Sequence, residues 1–297
     1  MKPIIIFLTL LLPIVVWAQK GLTILPFSLE NNSVYVYCKV NKTDSIKFLF
    51  DTGANGSVIN SNSKKKIPLK IDGKSENRGS NGVNSVDYSS QNTIQFGNIK
   101  KNDIQFTLIP YDSANFDGIF GTDIMNERTI EIDYHKNEIR FYDKDDFIDL
   151  TEFEKVKLHM IDNYPAIESG IIVNGKECSG FFGLDSGADD VLTIASPFAK
   201  NNALIKTMKT IGKATARGSD GSVYEMPVVL CPAVKFAQKY LYNLPITLSG
   251  STEGIDSTEK MAGFFGNQFL KRFNTIIDFK NGYIYFKLNK NLYSEFN

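Results

Sequence analysis

Two short stretches carry residue types that could do chemistry. Phe48-Leu49-Phe50-Asp51-Thr52-Gly53-Ala54 and Phe181-Phe182-Gly183-Leu184-Asp185-Ser186-Gly187-Ala188 each run apolar residues straight into Asp-Thr/Ser-Gly-Ala. An aspartate at the end of a buried strand is costly to hold charged unless something pairs with it. Two such strands in one chain suggest the partner: each aspartate faces the other across a shared site. A charged and a protonated carboxyl side by side are a general base and a general acid, which is what attack by an activated water requires.

Other chemistries have less to work with. The only histidines, His135 in an expected hairpin turn and His159 in an expected strand, recur in no motif. A Ser-His-Asp triad or a histidine-rich zinc site is therefore poorly supported. No glycine-rich phosphate loop comes after a strand. No metal and no cofactor are expected.

The elements that must position the aspartates occur twice. Leu25-Pro26-Phe27 with Val34-Tyr35-Val36-Tyr37 reads as paired strands, and Val156-Lys157-Leu158 with Tyr164-Pro165-Ala166-Ile167 is its counterpart. Each pair leads to the strand that ends in Asp51 or Asp185, 134 residues apart (185 − 51). A glycine hairpin comes next in each half, Arg78-Gly79-Ser80-Asn81-Gly82 and Arg217-Gly218-Ser219-Asp220-Gly221. Asn-Gly and Asp-Gly are strong hairpin signals because both residues tolerate positive φ. The third unit is Ile119-Phe120-Gly121 in one half and Phe264-Phe265-Gly266 in the other. Each runs into a short amphipathic segment and a closing hairpin, and 118–142 aligns on 263–287 without a gap. The apolar alternation predicts half-buried strands. Asp143-Lys144-Asp145-Asp146, with the residues up to about Glu154, reads as a linker.

With these units in register, each half resembles a retropepsin-type lobe, and the whole is similar to the bacterial exported aspartyl protease family, with two lobes in one chain. The resemblance covers nearly all of residues 25–289. It implies an all-β fold of two acid-protease β-barrel lobes related by a pseudo-two-fold axis, with short helices. It implies lobes at 19–146 and 147–297, after a leader at 1–18. It further implies an aspartic endopeptidase acting on extended polypeptides, with Asp51 and Asp185 catalytic. In that family two carboxylates about 3 Å apart cannot both ionise and share one proton. Thr52, Gly53, Ala54, Ser186, Gly187 and Ala188 would support the pair, the hydroxyls by cross-linking the two strands. Ile119, Phe120, Gly121, Phe264, Phe265 and Gly266 would pack beneath it. Gly79, Ser80, Asn81, Gly82, Gly218, Ser219, Asp220 and Gly221 are flap candidates. The family's two residues after the alanine help hold the substrate backbone, a role that falls on Asp189 and Asp190. The first lobe has Asn55 and Gly56 there, so the two sides of the cleft should differ.

Composition sets the outer bounds. The 297 residues are 42% hydrophobic and 22% charged with zero formal net charge, which excludes disorder, a polytopic membrane protein and any charge-driven nucleic-acid partner. Lys64-Lys65-Lys66 reads as a solvated loop. Lys2 followed by the mostly apolar run from Ile4 to Trp17 reads as an export signal cut before Gln19, too short to span a membrane. The expectation is an exported monomer, periplasmic or secreted, with no stable membrane insertion after cleavage. Of Cys38, Cys178 and Cys231, the last two share a half and are the better candidates for a disulfide; three buried thiols fit equally well. The competing reading from another class is a catalytically silent peptide-binding protein on the same fold.

Overall fold

Alternation of inward apolar and outward polar residues makes most of this chain strand. In Ser33–Val40, Val34, Val36, Cys38 and Val40 turn into the core while the residues between them face out. A computed structural model describes residues 22–112 and 114–296, whose strands form three sheets. The leader expected at 1–18 and the start at Gln19 lie outside the described residues.

The first sheet runs, from edge to edge, Ser28–Glu30, Ser33–Val40, Ile46–Phe50, Gly118–Phe120, Val58–Asn60, Ile99–Ile109, Val83–Phe96 and Gly73–Arg78. The second repeats that order with His159–Ile161, Tyr164–Val173, Lys176–Asp185, Gly263–Gly266, Leu192–Ile194, Lys239–Leu248, Val223–Phe236 and Lys209–Arg217. In both, the strand leading to the aspartate lies parallel to the later glycine-ended strand. Leu49 sits opposite Ile119 and Phe50 opposite Phe120; Leu184 sits opposite Phe265 and Asp185 opposite Gly266.

Two closed barrels were expected, and one is found. The second sheet closes into a six-stranded barrel, where Gly170, Ile171 and Ile172 pair with Lys235, Val234 and Ala233. The first sheet stays open; its corresponding edges meet only at Lys39–Gln95 and Val40–Ile94. Register shifts between Ser89 and Ile94, with Gln91 at φ 58°, bend the long strand just ahead of that seam.

The third sheet joins the two halves. Its order is Thr23–Pro26, Glu138–Tyr142, Thr129–Asp133, Phe273–Asp278, Tyr283–Leu288 and Glu154–Lys157. This corrects two pairings expected from sequence. Leu25 and Pro26 pair with Ile139 and Glu138, not with 34–37, and Val156 and Lys157 pair with Ile284 and Tyr283, not with 164–167. The partners of Ser33–Val40 and Tyr164–Val173 are instead the short strands Ser28–Glu30 and His159–Ile161. The central contact is symmetric in register: Glu131 lies opposite Ile276, flanked by Ile130 opposite Ile277 and Ile132 opposite Thr275. The gap-free alignment of 118–142 on 263–287 carries Glu131 onto Ile276 and each flanking pair onto the other.

Behind each aspartate-bearing strand sits the same aromatic group. Phe96 meets Phe120 edge-on at 4.9 Å and Phe141 at 5.0 Å. Phe236 meets Phe265 edge-on at 4.9 Å and Phe286 at 4.7 Å. Such pairs add about 0.5–1.5 kcal/mol each beyond the area they bury, and they stiffen the floor beneath both aspartates. The cysteines are free and buried, so Cys178 and Cys231 are not joined here. Lys64, Lys65 and Lys66 face solvent but end a 3-10 turn, Ser61–Lys66, and are not in a loop. No helix among the described residues is long and apolar enough to cross a membrane.

Candidate active site

Both aspartates stand where a buried strand ends and a glycine lets the other half approach. The Asp51 amide donates to Phe120 O at 3.1 Å, fixing the strand end on the packed floor. A Cβ built on Gly53 would lie 2.2 Å from the Asp185 carboxyl carbon, and one on Gly187 would lie 2.3 Å from that of Asp51. Glycine is required at both positions by space rather than by backbone torsion, because any side chain would displace the opposite carboxyl.

The two carboxyls perturb each other's titration. Asp51 also accepts from the Gly53 amide at 2.8 Å, and Asp185 accepts from the Gly187 and Ala188 amides, each at 3.0 Å. Burial pushes both carboxyls above the usual range, and the charge on Asp185 raises Asp51 further. Both therefore hold a proton more tightly than an isolated aspartate does.

Thr52 and Ser186 lock the strands beneath the carboxyls. The Thr52 hydroxyl donates to Leu184 O at 2.7 Å, and the Ser186 hydroxyl donates to Phe50 O at 2.8 Å. Ala54 O accepts from the Thr122 amide at 2.9 Å, and Ala188 O accepts from the Asn267 amide at 2.8 Å. These bonds tie each Asp-Thr/Ser-Gly-Ala loop to the short helix after the glycine-ended strand, Thr122–Met125 or Asn267–Leu270. Ile119, Phe120, Phe264 and Phe265 are all buried; Phe120 and Phe265 belong to the large core of each half, whereas Ile119 and Phe264 pack into smaller separate clusters.

Asp189 and Asp190 sit differently from each other. Asp189 accepts from Asn32 of the other half at 2.8 Å and from Gln268 at 3.2 Å. Asp190 accepts from the Thr193 hydroxyl and packs on Gly266, and burial raises its carboxyl to about 7.

The two glycine hairpins meet each other. Gly79 donates to Gly82 O at 3.0 Å across the first turn, and Gly221 donates to Gly218 O at 3.0 Å across the second. Asp220 packs against Gly79 and Gly82, its carbonyl accepts from Asn84 at 3.3 Å, and Asn77 donates to Ser219 at 3.4 Å. Two buried tyrosines lie within electrostatic reach of the carboxyls. Tyr111 feels Asp51 and Asp220, and Tyr164 feels Asp51, Asp185 and Arg78; burial is the larger reason that both phenols are raised.

Sequence reasoning passed over Asn32, Tyr111, Tyr164, Tyr224 and Asp256. Asp256 is buried on the turn between Leu248 and Gly263, senses Asp185, and is raised by burial to about 7. Asn32 carried the one signal that could have found it. It sits in a turn, Asn31-Asn32, whose φ values of 47° and 62° are matched by Asp162-Asn163 at 50° and 68°. Each turn reaches the other half: Asn32 O accepts from Asn267, and Asn163 O accepts from the Thr122 hydroxyl.

Residues 36–124 match the family model described as Aspartyl protease, a span that holds Asp51 but not Asp185. No curated protein matches the chain.

Proposed function

We propose that this chain is an aspartic endopeptidase that hydrolyses extended polypeptides with a water held between Asp51 and Asp185. The observation that carries this reading is the reciprocal approach of each carboxyl to the other half's glycine, Gly53 and Gly187. The family match over 36–124 supports it from the first half, and the repeated strand order supports it for the second.

The reaction rests on the shared proton. The ionised carboxyl takes a proton from the water as it attacks the substrate carbonyl carbon. The protonated carboxyl gives its proton to the carbonyl oxygen, leaving a neutral tetrahedral diol. Collapse returns a proton to the amide nitrogen, the carbon–nitrogen bond breaks, and the pair ends with one proton as it began. No covalent intermediate is formed. The amides of Gly53, Gly187 and Ala188 hold the carboxyls in orientation, and the Thr52–Ser186 lock keeps their spacing through the cycle. The hairpins at 79–82 and 218–221 would lift to admit an extended chain and close to exclude water.

The two sheets are read as two acid-protease lobes at 19–146 and 147–297, related by a pseudo-two-fold axis through the Glu131–Ile276 contact, with the first barrel left open. One chain then makes one complete site and works as a monomer. Lys2 and the apolar run after it point to export into the periplasm or beyond.

The test is incubation of the purified protein with a denatured protein substrate at acid and neutral pH, with and without a peptide carrying a hydroxyethylene in place of the scissile amide. New fragments that the mimic suppresses are expected. Intact substrate at every pH, or cleavage that the mimic leaves unchanged, would reject the assignment.

A further inference from the structure

The two halves differ in one connection, which is longer in the second half. In the first half, residues 110–117 join Ile99–Ile109 to Gly118–Phe120; in the second, residues 249–262 join Lys239–Leu248 to Gly263–Gly266. The longer connection crosses to the tip of the first half's hairpin. The Ile255 amide donates to Gly79 O at 2.9 Å, and the Asp256 amide donates to Ser80 O at 3.0 Å. The Arg78 guanidinium donates to Gly254 O at 2.9 Å, and the Ser251 hydroxyl donates to Asn81 Oδ1 at 2.6 Å.

The fit at Gly254 is close. Its φ of 78° lies in the left-handed region, and a Cβ there would stand 2.5 Å from Gly79 O and 2.6 Å from Gly82 N. The carbonyls of both Gly79 and Ser80 are thus taken by the opposite half's own backbone. Asp256 meanwhile lies within electrostatic reach of Asp185.

We propose that Gly254, Ile255 and Asp256 form an intramolecular latch that holds the 79–82 hairpin down over the cleft and must release it before a polypeptide can enter. The gating role rests on the endopeptidase reading; the latch itself does not. A closed fraction that excludes ligand slows association by the share of time spent closed. Weakening the latch should therefore speed entry. Net loss of one hydrogen bond corresponds to about a fivefold change in the open fraction.

Two variants test this in the full chain. Gly254→Ala places a methyl against the hairpin turn; Ser251→Ala removes the one side-chain bond to Asn81, together with the bond accepted from Ser249, and leaves the backbone torsions alone. Amide exchange is followed at Ile255 and Asp256, and association of a fluorescent hydroxyethylene peptide is followed by stopped flow. In the unaltered protein both amides should be protected. Gly254→Ala should expose them by at least about tenfold, and Ser251→Ala should raise the association rate about fivefold. Unprotected amides in the unaltered protein would overturn the latch. Lost protection in a variant with an unchanged association rate would overturn the gate. Protected amides in a chain that binds no such peptide would uphold the latch and overturn the endopeptidase reading.

Discussion

Thr52 and Ser186 are joined by a reciprocal set of hydrogen bonds. Each hydroxyl accepts the other residue's amide, at 3.1 Å and 3.0 Å, while donating to a carbonyl on the other half's strand. Both residues are 1% exposed, so no solvent replaces a lost partner. Ser186→Ala or Thr52→Val strands one buried amide and one buried carbonyl. A buried group left unpaired costs about 1–3 kcal/mol, so each variant should lose roughly 2–4 kcal/mol in urea unfolding. Thr52→Ser keeps the hydroxyl and should lose little beyond its methyl. Equal losses for Thr52→Ser and Thr52→Val would show that packing, not the lock, matters there.

Asp51→Asn and Asp185→Asn should each lower peptide hydrolysis by about three orders of magnitude or more while circular dichroism stays unchanged. An amide can neither hold the shared proton nor act as base. Near-full activity in either variant would place the chemistry elsewhere. Gly53→Ala should be as damaging by another route, since its methyl would overlap the Asp185 carboxyl.

Asp190 and Asp256 give a stability signature with a definite sign. Burial raises both to about 7. They stay protonated in the fold at pH values where the unfolded chain has already ionised them. They therefore leave stability unchanged below about pH 4, and erode it progressively as pH rises from there to about 7. Asp256→Asn removes that penalty for one group. Relative to the unaltered protein, it should gain on the order of 2 kcal/mol at pH 7.5 and nothing at pH 4. A gain that is the same at both pH values would mean that Asp256 is not held neutral.

A site assembled within one chain does not depend on concentration. Specific activity should stay constant on dilution from micromolar to nanomolar, and mixing Asp51→Asn with Asp185→Asn should restore nothing. Activity that falls on dilution, or returns on mixing, would place the site between two chains.

Local rules specify a large part of this protein from the order of its residues. The two Asp-Thr/Ser-Gly-Ala segments, the Gly79 and Gly218 turns, the paired Phe-Gly strand ends and the short helices after them are all set by near-neighbour patterns: period-two alternation, turn residues, and glycine where two backbones crowd. Asp51 and Asp185 could be paired on chemical grounds because an unpartnered carboxyl at a buried strand end is so costly. Strand pairing at long range is settled only in three dimensions. Leu25 and Val156 read as strands, but their partners, Ile139 and Ile284, are selected by a sheet that spans both halves. Neither the open first sheet nor the register shift near Gln91 is revealed by alternation. Asn32 on Asp189, and the turn at Gly254 on Gly79, join residues more than a hundred positions apart through hydrogen bonds that leave no periodic trace. Those contacts exist only once two separately legible halves are packed face to face.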